Sequence, residues 1–200
     1  MAEGLLVILS GPSGVGKGTV CRSLTSLQPR LNLSISATTR SPRSGEADGR
    51  EYYFMTKARF TELAESGAFL EWAIVHGHYY GTLKAKALEA IAAGGDLLLE
   101  IDIQGAAQVR RQLPGAVSIF LAPPSMEVLE QRIAGRGTEE ASVIRQRLAV
   151  AHREMAVYDS YDYLVVNDRV ETAAAALSAI INAEKCKVSR GARPPGWGGE

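Results

Sequence analysis

The segment Gly11-Pro12-Ser13-Gly14-Val15-Gly16-Lys17-Gly18-Thr19 constrains the fold more than any other stretch of the chain. It follows the apolar run Leu5-Leu6-Val7-Ile8-Leu9, a buried central strand by its pattern. Val20, Leu24 and Leu27 come next, spaced i, i+4, i+7 on one face of a helix that must stop before Pro29. The glycine-rich turn therefore lies at a helix N-terminus. Its glycines let successive N–H groups point inward as an anion nest, and the helix adds partial positive charge. Lys17 is placed to reach the outer phosphates of a nucleotide. A ligand-free strand–helix turn would account for Gly11 but not for four glycines, a lysine and a hydroxyl in this register. The segment reads as a nucleotide phosphate loop.

The rest of the chain alternates in the same way. Asp96 to Asp102 reads as a second buried strand with acids at its end, Val117 to Leu121 as a third, and Tyr163 to Val166 as the last. Helical spacing appears at Leu88 and Ile91, at Met126, Leu129 and Ile133, at Ile144, Leu148, Ala151 and Met155, and at Ala173, Leu177 and Ile180. Short apolar strands alternating with helices predict a parallel sheet covered on both faces, an α/β fold. The stretch from Ser34 to Tyr80 breaks the rhythm. It predicts a small separate lobe, with a strand over Leu33 to Thr39, a loop over Arg40 to Arg50, a short helix at Phe60 and Leu63, and a strand over Phe69 to Val75. From Lys187 onward the chain is rich in Gly, Pro and Arg and predicts a disordered tail.

Composition excludes several classes. Twenty-two basic against twenty-two acidic residues give a net charge of zero, which lacks the global basic footprint of a nucleic-acid binder. Cys21 and Cys186 are too few for a disulfide framework or a structural zinc site. The apolar opening is too short for a membrane span, so a cytoplasmic protein is expected, with no nucleic-acid or membrane partner. Nothing in the sequence sets an oligomeric state.

Three further clusters carry chemistry. Arg40 and Arg43 flank Pro42, with Tyr52 nearby, and can fork onto one dianionic phosphate. Glu71 lies inside the apolar run Phe69-Leu70-Glu71-Trp72, where a carboxylate needs a partner. A guanine base supplies one through its N1–H and exocyclic N2–H donors, and an ion pair on a solvent-facing strand supplies another. Tyr79-Tyr80-Gly81-Thr82 offers hydroxyls to a phosphate or a base carbonyl, whereas His76 and His78 fit an exposed loop better than a ligand set.

These motifs, with Glu-Ile-Asp-Ile-Gln-Gly (100–105), Arg-Gly-Thr-Glu (136–139) and Val-Val-Asn-Asp (165–168), resemble the guanylate kinase family in order and over nearly the whole chain. The resemblance implies a P-loop NTPase-type parallel sheet flanked by helices, with a small GMP-binding lobe and a helical lid. The expected division is core 1–33, GMP-binding lobe 34–81, core 82–125, lid 126–153, core 154–186 and tail 187–200. The implied activity is transfer of the γ-phosphoryl of ATP to GMP or dGMP. By the same resemblance Arg40, Arg43, Tyr52 and Tyr80 bind the GMP phosphate, and Ser36, Glu71 and Thr82 read guanine. Asp102 helps hold the Mg²⁺ shell and arranges the GMP site, and Arg132 and Arg136 are lid arginines over the ATP phosphates. Arg147 closes onto the transferring group, and Asn167 lies on the adenine side. Positions 11–19 form the ATP phosphate loop.

One position departs from the usual loop: Gly18 stands where a hydroxyl normally follows the lysine, and Thr19 comes one residue later. Mg²⁺ is therefore expected to arrive with ATP and to be held largely through water, with no residue assigned as a direct ligand. A non-catalytic guanylate-kinase-like interaction module is the rival from another class, and the nearly intact phosphate loop weighs against it. A same-fold kinase of a different phosphorylated small molecule is the other rival, and Ser36, Glu71 and Thr82 weigh against that.

Overall fold

A computed structural model describes residues 4–75, 77–134 and 141–192, and for residues 141–145 the backbone alone. The buried run after Leu5 forms β1 (Leu6–Ser10), central in a five-stranded parallel sheet. Its partners are β2 (Leu31–Leu33), β7 (Asp96–Glu100), β8 (Val117–Ala122) and β9 (Tyr163–Val166), in the order β2-β7-β1-β8-β9. Side chains alternate across β1, so Val7 and Leu9 face one layer while Leu6 and Ile8 face the other. Helices α1 (Lys17–Leu27) and α7 (Val170–Lys185) cover the first face through Val20, Leu24, Leu177 and Ile181. Helices α3 (Lys84–Ala92) and α4 (Ile103–Gln112) cover the second through Ala87, Ala106 and Val109. This is the predicted sheet flanked by helices.

A second sheet carries the lobe: β3 (Ser36–Thr38), β4 (Tyr52–Phe54), β5 (Phe69–Val75) and β6 (His78–Leu83), in the order β4-β3-β6-β5. Helix α2 (Lys57–Glu65) packs on it, capped by the Thr56 side chain, with Phe60 stacked on Phe69 at 4.4 Å between ring centres. The single strand expected over Leu33 to Thr39 is two strands, because the chain leaves one sheet at Leu33 and joins the other at Ser36. Both halves are extended, so the alternation runs through the junction unbroken.

Helices α5 (Met126–Ala134) and α6 (Ala141–Met155) occupy the region expected as a lid. Leu129, Ile133 and Ala151 are buried in the main core cluster beside Val15, so both ends of that region are anchored to the core. The chain from Lys187 to Ala192, expected as the start of a disordered tail, instead makes a short 3₁₀ turn at Val188–Arg190. Its basic side chains are drawn back onto the chain by the buried carboxylate of Glu184, which accepts from Lys187, from Arg190 (2.8 Å) and from the Tyr163 hydroxyl.

Candidate active site

The phosphate loop owes its shape to three glycines that no other residue replaces without strain. Gly11, Gly14 and Gly16 have φ of 152°, 86° and 98°. A Cβ on Gly11 would stand 2.2 Å from the Leu121 carbonyl oxygen, and one on Gly16 would stand 2.8 Å from Asn167 Nδ2. Gly16 at the N-cap of α1 makes no side-chain capping bond, so the positive end of the helix is left open toward an anion. Lys17 Nζ folds over the loop and donates to the carbonyls of Gly11 (2.7 Å) and Pro12 (3.3 Å). Burial lowers its pKa, against the pull of the Glu100, Glu154 and Asp102 carboxylates.

Two cavities meet at Lys17. One, of about 360 Å³, is bounded by the phosphate loop, Thr19, Arg22 and Glu100. The other, of about 330 Å³, opens between the core and the lobe. Ser36, Arg40, Arg43, Tyr52, Glu71, Tyr80 and Asp102 all line it. Residues as far apart in the chain as Ser13 and Asp102, 89 positions, are thus brought to one cleft, with Lys17 and Glu100 shared between its two halves.

Arg40 lies over the Tyr52 ring at 5.3 Å and the Phe54 ring at 5.9 Å. Its guanidinium pairs with Glu46 at 2.9 Å, and Glu46 also accepts from the Arg43 N–H at 2.8 Å. Thr82 does not line the cleft. It is buried behind Glu71 and donates its hydroxyl to Glu71 Oε1 at 2.7 Å. Burial raises the Glu71 carboxyl to about 7, with Thr82 opposing the rise and the nearby Asp102 charge adding to it. Asp102 caps α4 through Oδ1, which accepts from the Gly105 N–H at 2.7 Å. The expected strand accordingly ends at Glu100.

On the nucleotide side, Arg132 donates to the carbonyls of Val15 (3.3 Å) and Asn167 (2.9 Å), which ties α5 to the loop. Arg136 lies outside the described residues. Arg147 Nη2 donates to Ser13 Oγ at 3.0 Å. Asn167 is buried, donates from Nδ2 to the Val15 carbonyl at 2.8 Å, and has no partner for its Oδ1 among the described residues.

Sequence reasoning passed over three residues. Glu100 bridges the two cavities, and its oxygens lie 3.4 and 3.6 Å from where a Cβ on Gly18 would stand. Arg22 lines the phosphate-loop cavity and donates to Thr19 Oγ1 at 3.3 Å. Glu154, on the same face of α6 as Arg147, accepts from the Ser13 N–H at 3.1 Å, so the protein's own carboxylate occupies one loop donor. The acids ending the apolar strand signalled Glu100. No local signal marks Glu154, which is 141 residues from its partner.

Known proteins resemble this chain over nearly its whole length. A family model described as guanylate kinase matches residues 3–184. The guanylate kinase of Desulfitobacterium hafniense is 51% identical over 188 residues, covering 94% of this chain and 94% of that protein. That of Caldanaerobacter subterraneus subsp. tengcongensis is 50% identical over 188 residues, covering 94% and 91%. The crystal structure of guanylate kinase from Anaplasma phagocytophilum superposes with a TM-score of 0.76 at 34% identity, covering 94% of this chain and 90% of that one.

Proposed function

The chain belongs to the guanylate kinase family and is an ATP:GMP phosphotransferase, and we propose that it works through the cleft built around Lys17. GMP enters the half lined by the lobe, with its phosphate toward Arg40, Arg43, Tyr52 and Tyr80 and its base toward Ser36 and Glu71. The observation that carries this reading is the buried Glu71 carboxylate, held by Thr82 and aimed into the cleft. It accepts the paired N1–H and N2–H donors of guanine, which adenine lacks. Thr82 serves as the partner that orients Glu71. ATP lies along the loop from Gly11 to Thr19, with Asn167, which braces the loop at Val15, on the adenine side in this reading.

The acceptor is already an anionic phosphate oxygen, so the reaction needs no strong general base. The protein's task is in-line positioning and neutralisation of charge. Lys17 leaves the Gly11 and Pro12 carbonyls for the phosphates, and Arg40 leaves Glu46 for the GMP phosphate. Arg147 already touches the loop at Ser13. Arg132 and Arg136 complete the lid side in this reading. Closure excludes water, which would otherwise take the phosphoryl group.

Glu100 and Asp102 supply hard carboxylate oxygens beside the phosphate loop, a donor set suited to a Mg²⁺ ion that keeps most of its waters. Bound with ATP, that ion would neutralise charge on the phosphate oxygens. We place the protein in the cytoplasm, and no described helix is long and apolar enough to cross a membrane.

An ADP-release assay with GMP, dGMP, AMP, UMP and CMP tests the reading. Turnover with the two guanine nucleotides and none with the others is expected. Comparable turnover with AMP would remove Glu71 as the discriminating residue.

A further inference from the structure

Strand β5 lies at the edge of the lobe sheet, pairing with β6 on one side only. Its other edge meets α4 of the core. There the Gln108 side chain replaces a neighbouring strand: Oε1 accepts from the Trp72 N–H at 3.2 Å, and Nε2 donates to the Trp72 carbonyl at 3.0 Å. One turn on, Gln112 Nε2 donates to the Leu70 carbonyl at 2.8 Å. The backbone on both sides of Glu71 is therefore held by one helix face.

The β5–β6 register also shifts between Phe69 and Glu71, an irregularity of the kind that re-aims a side chain. The same helix meets the Glu71 carboxylate itself. A Cβ on Gly105 would stand 2.6 Å from Glu71 Oε2, so that oxygen rests where only glycine leaves room. Thr82 holds the other oxygen from the opposite side.

We propose that α4 selects guanine indirectly, with Gln108 and Gly105 as positioning residues that fix Glu71 for the base. The proposal rests on the reading of Glu71 as the guanine acceptor. Gln108 sets the backbone from which the carboxylate projects, and Gly105 sets the depth at which the carboxylate comes to rest. Neither touches the nucleotide. A carboxylate displaced by a fraction of an ångström would still accept one hydrogen bond but would lose the second, so the amino group of guanine is the part of the substrate most affected.

Steady-state kinetics of Gln108→Met and Gly105→Ala, with Glu71→Gln as reference, test this with GMP and with inosine monophosphate, which lacks the exocyclic amino group. Gln108→Met should raise KM for GMP about tenfold, the scale of losing one to two hydrogen bonds. KM for ATP and kcat should stay unchanged, and the loss should be smaller with inosine monophosphate. Gly105→Ala should raise KM for GMP in the same selective way, because its Cβ would push the Glu71 carboxylate out of the place where it rests. If Glu71→Gln acts selectively on GMP while both α4 variants leave its KM unchanged, or raise KM for GMP and ATP alike, the proposal is overturned and the role of Glu71 stands. If Glu71→Gln itself leaves GMP unaffected, the reading of Glu71 fails and the proposal fails with it.

Discussion

The ammonium of Lys17 donates to the Gly11 carbonyl at 2.7 Å across the mouth of the phosphate loop. The contact closes the loop on itself and holds the charge beside the oxygens that nucleotide phosphates will displace. Burial disfavours that charge, so the lysine costs the fold something and contributes it to the reaction.

Lys17→Met should therefore lower kcat by about 10²–10³, the scale for one preorganised charge-stabilising donor. The loss of two carbonyl contacts is offset by removing a buried charge, so the ligand-free melting temperature should hardly move. Turnover near that of the parent enzyme would exclude Lys17 as a phosphate ligand.

Glu71 should make the enzyme sensitive to pH near neutrality. Its folded pKa of about 7 lies above the ordinary carboxyl value of 4.5, so the folded state favours the protonated acid. That contribution to stability is full below about 4.5 and is lost as pH rises to and through about 7, by up to ~3 kcal/mol. Guanine needs the carboxylate, so KM for GMP should fall between about pH 6 and pH 8. The GMP phosphate also titrates near there, at about 6. Glu71→Gln separates the two, since it should retain only the phosphate's share. Identical KM profiles for parent and variant would show that Glu71 does not titrate against the base.

Phe60 tests whether the lobe is built as described. Its ring is fully buried against Phe69, so Phe60→Ala should cost about 3–5 kcal/mol in denaturant unfolding, the usual range for emptying an aromatic core position. A loss below about 1 kcal/mol would mean that the ring does not anchor α2 to its sheet.

The core was readable from the chain because its three central strands, β7, β1 and β8, are buried on both faces and therefore almost uniformly apolar, as Leu6 to Leu9 and Leu97 to Leu99 show. The phosphate loop was readable because its chemistry is local. The lobe was read only in outline. Tyr52–Phe54 is three residues of half-buried strand, too short to show a period, and the break between β2 and β3 leaves the alternation intact. Contacts made across the fold left no trace either. Glu154 on Ser13, Gln108 on Trp72 and Arg132 on Val15 are polar side chains on amphipathic helices, where surface charge is the default reading.

Gly18 has the most specific consequence for the metal. Helix α1 begins at Lys17, so position 18 is already helical and accepts a side chain without backbone strain. A Cβ there would meet Glu100 at 3.4 Å, ordinary contact distance, while Thr19 projects about 100° further round the helix and accepts from Arg22. Gly18→Ser would thus place a hydroxyl beside Glu100 in the phosphate-loop cavity, where it could join that carboxylate in holding a cation. Mg²⁺ demands near-octahedral oxygen ligation at about 2.0–2.1 Å and gives up its waters reluctantly, so one well-placed protein oxygen should tighten its hold. The expected result is a lower Mg²⁺ concentration for half-maximal activity in Gly18→Ser and a higher one in Asp102→Asn. Glu100→Gln should move it further than Asp102→Asn, because Glu100 borders both cavities while one Asp102 oxygen is committed to capping α4. A Mg²⁺ titration unchanged in the serine variant, or a structure with Thr19 directly on the metal, would defeat this account.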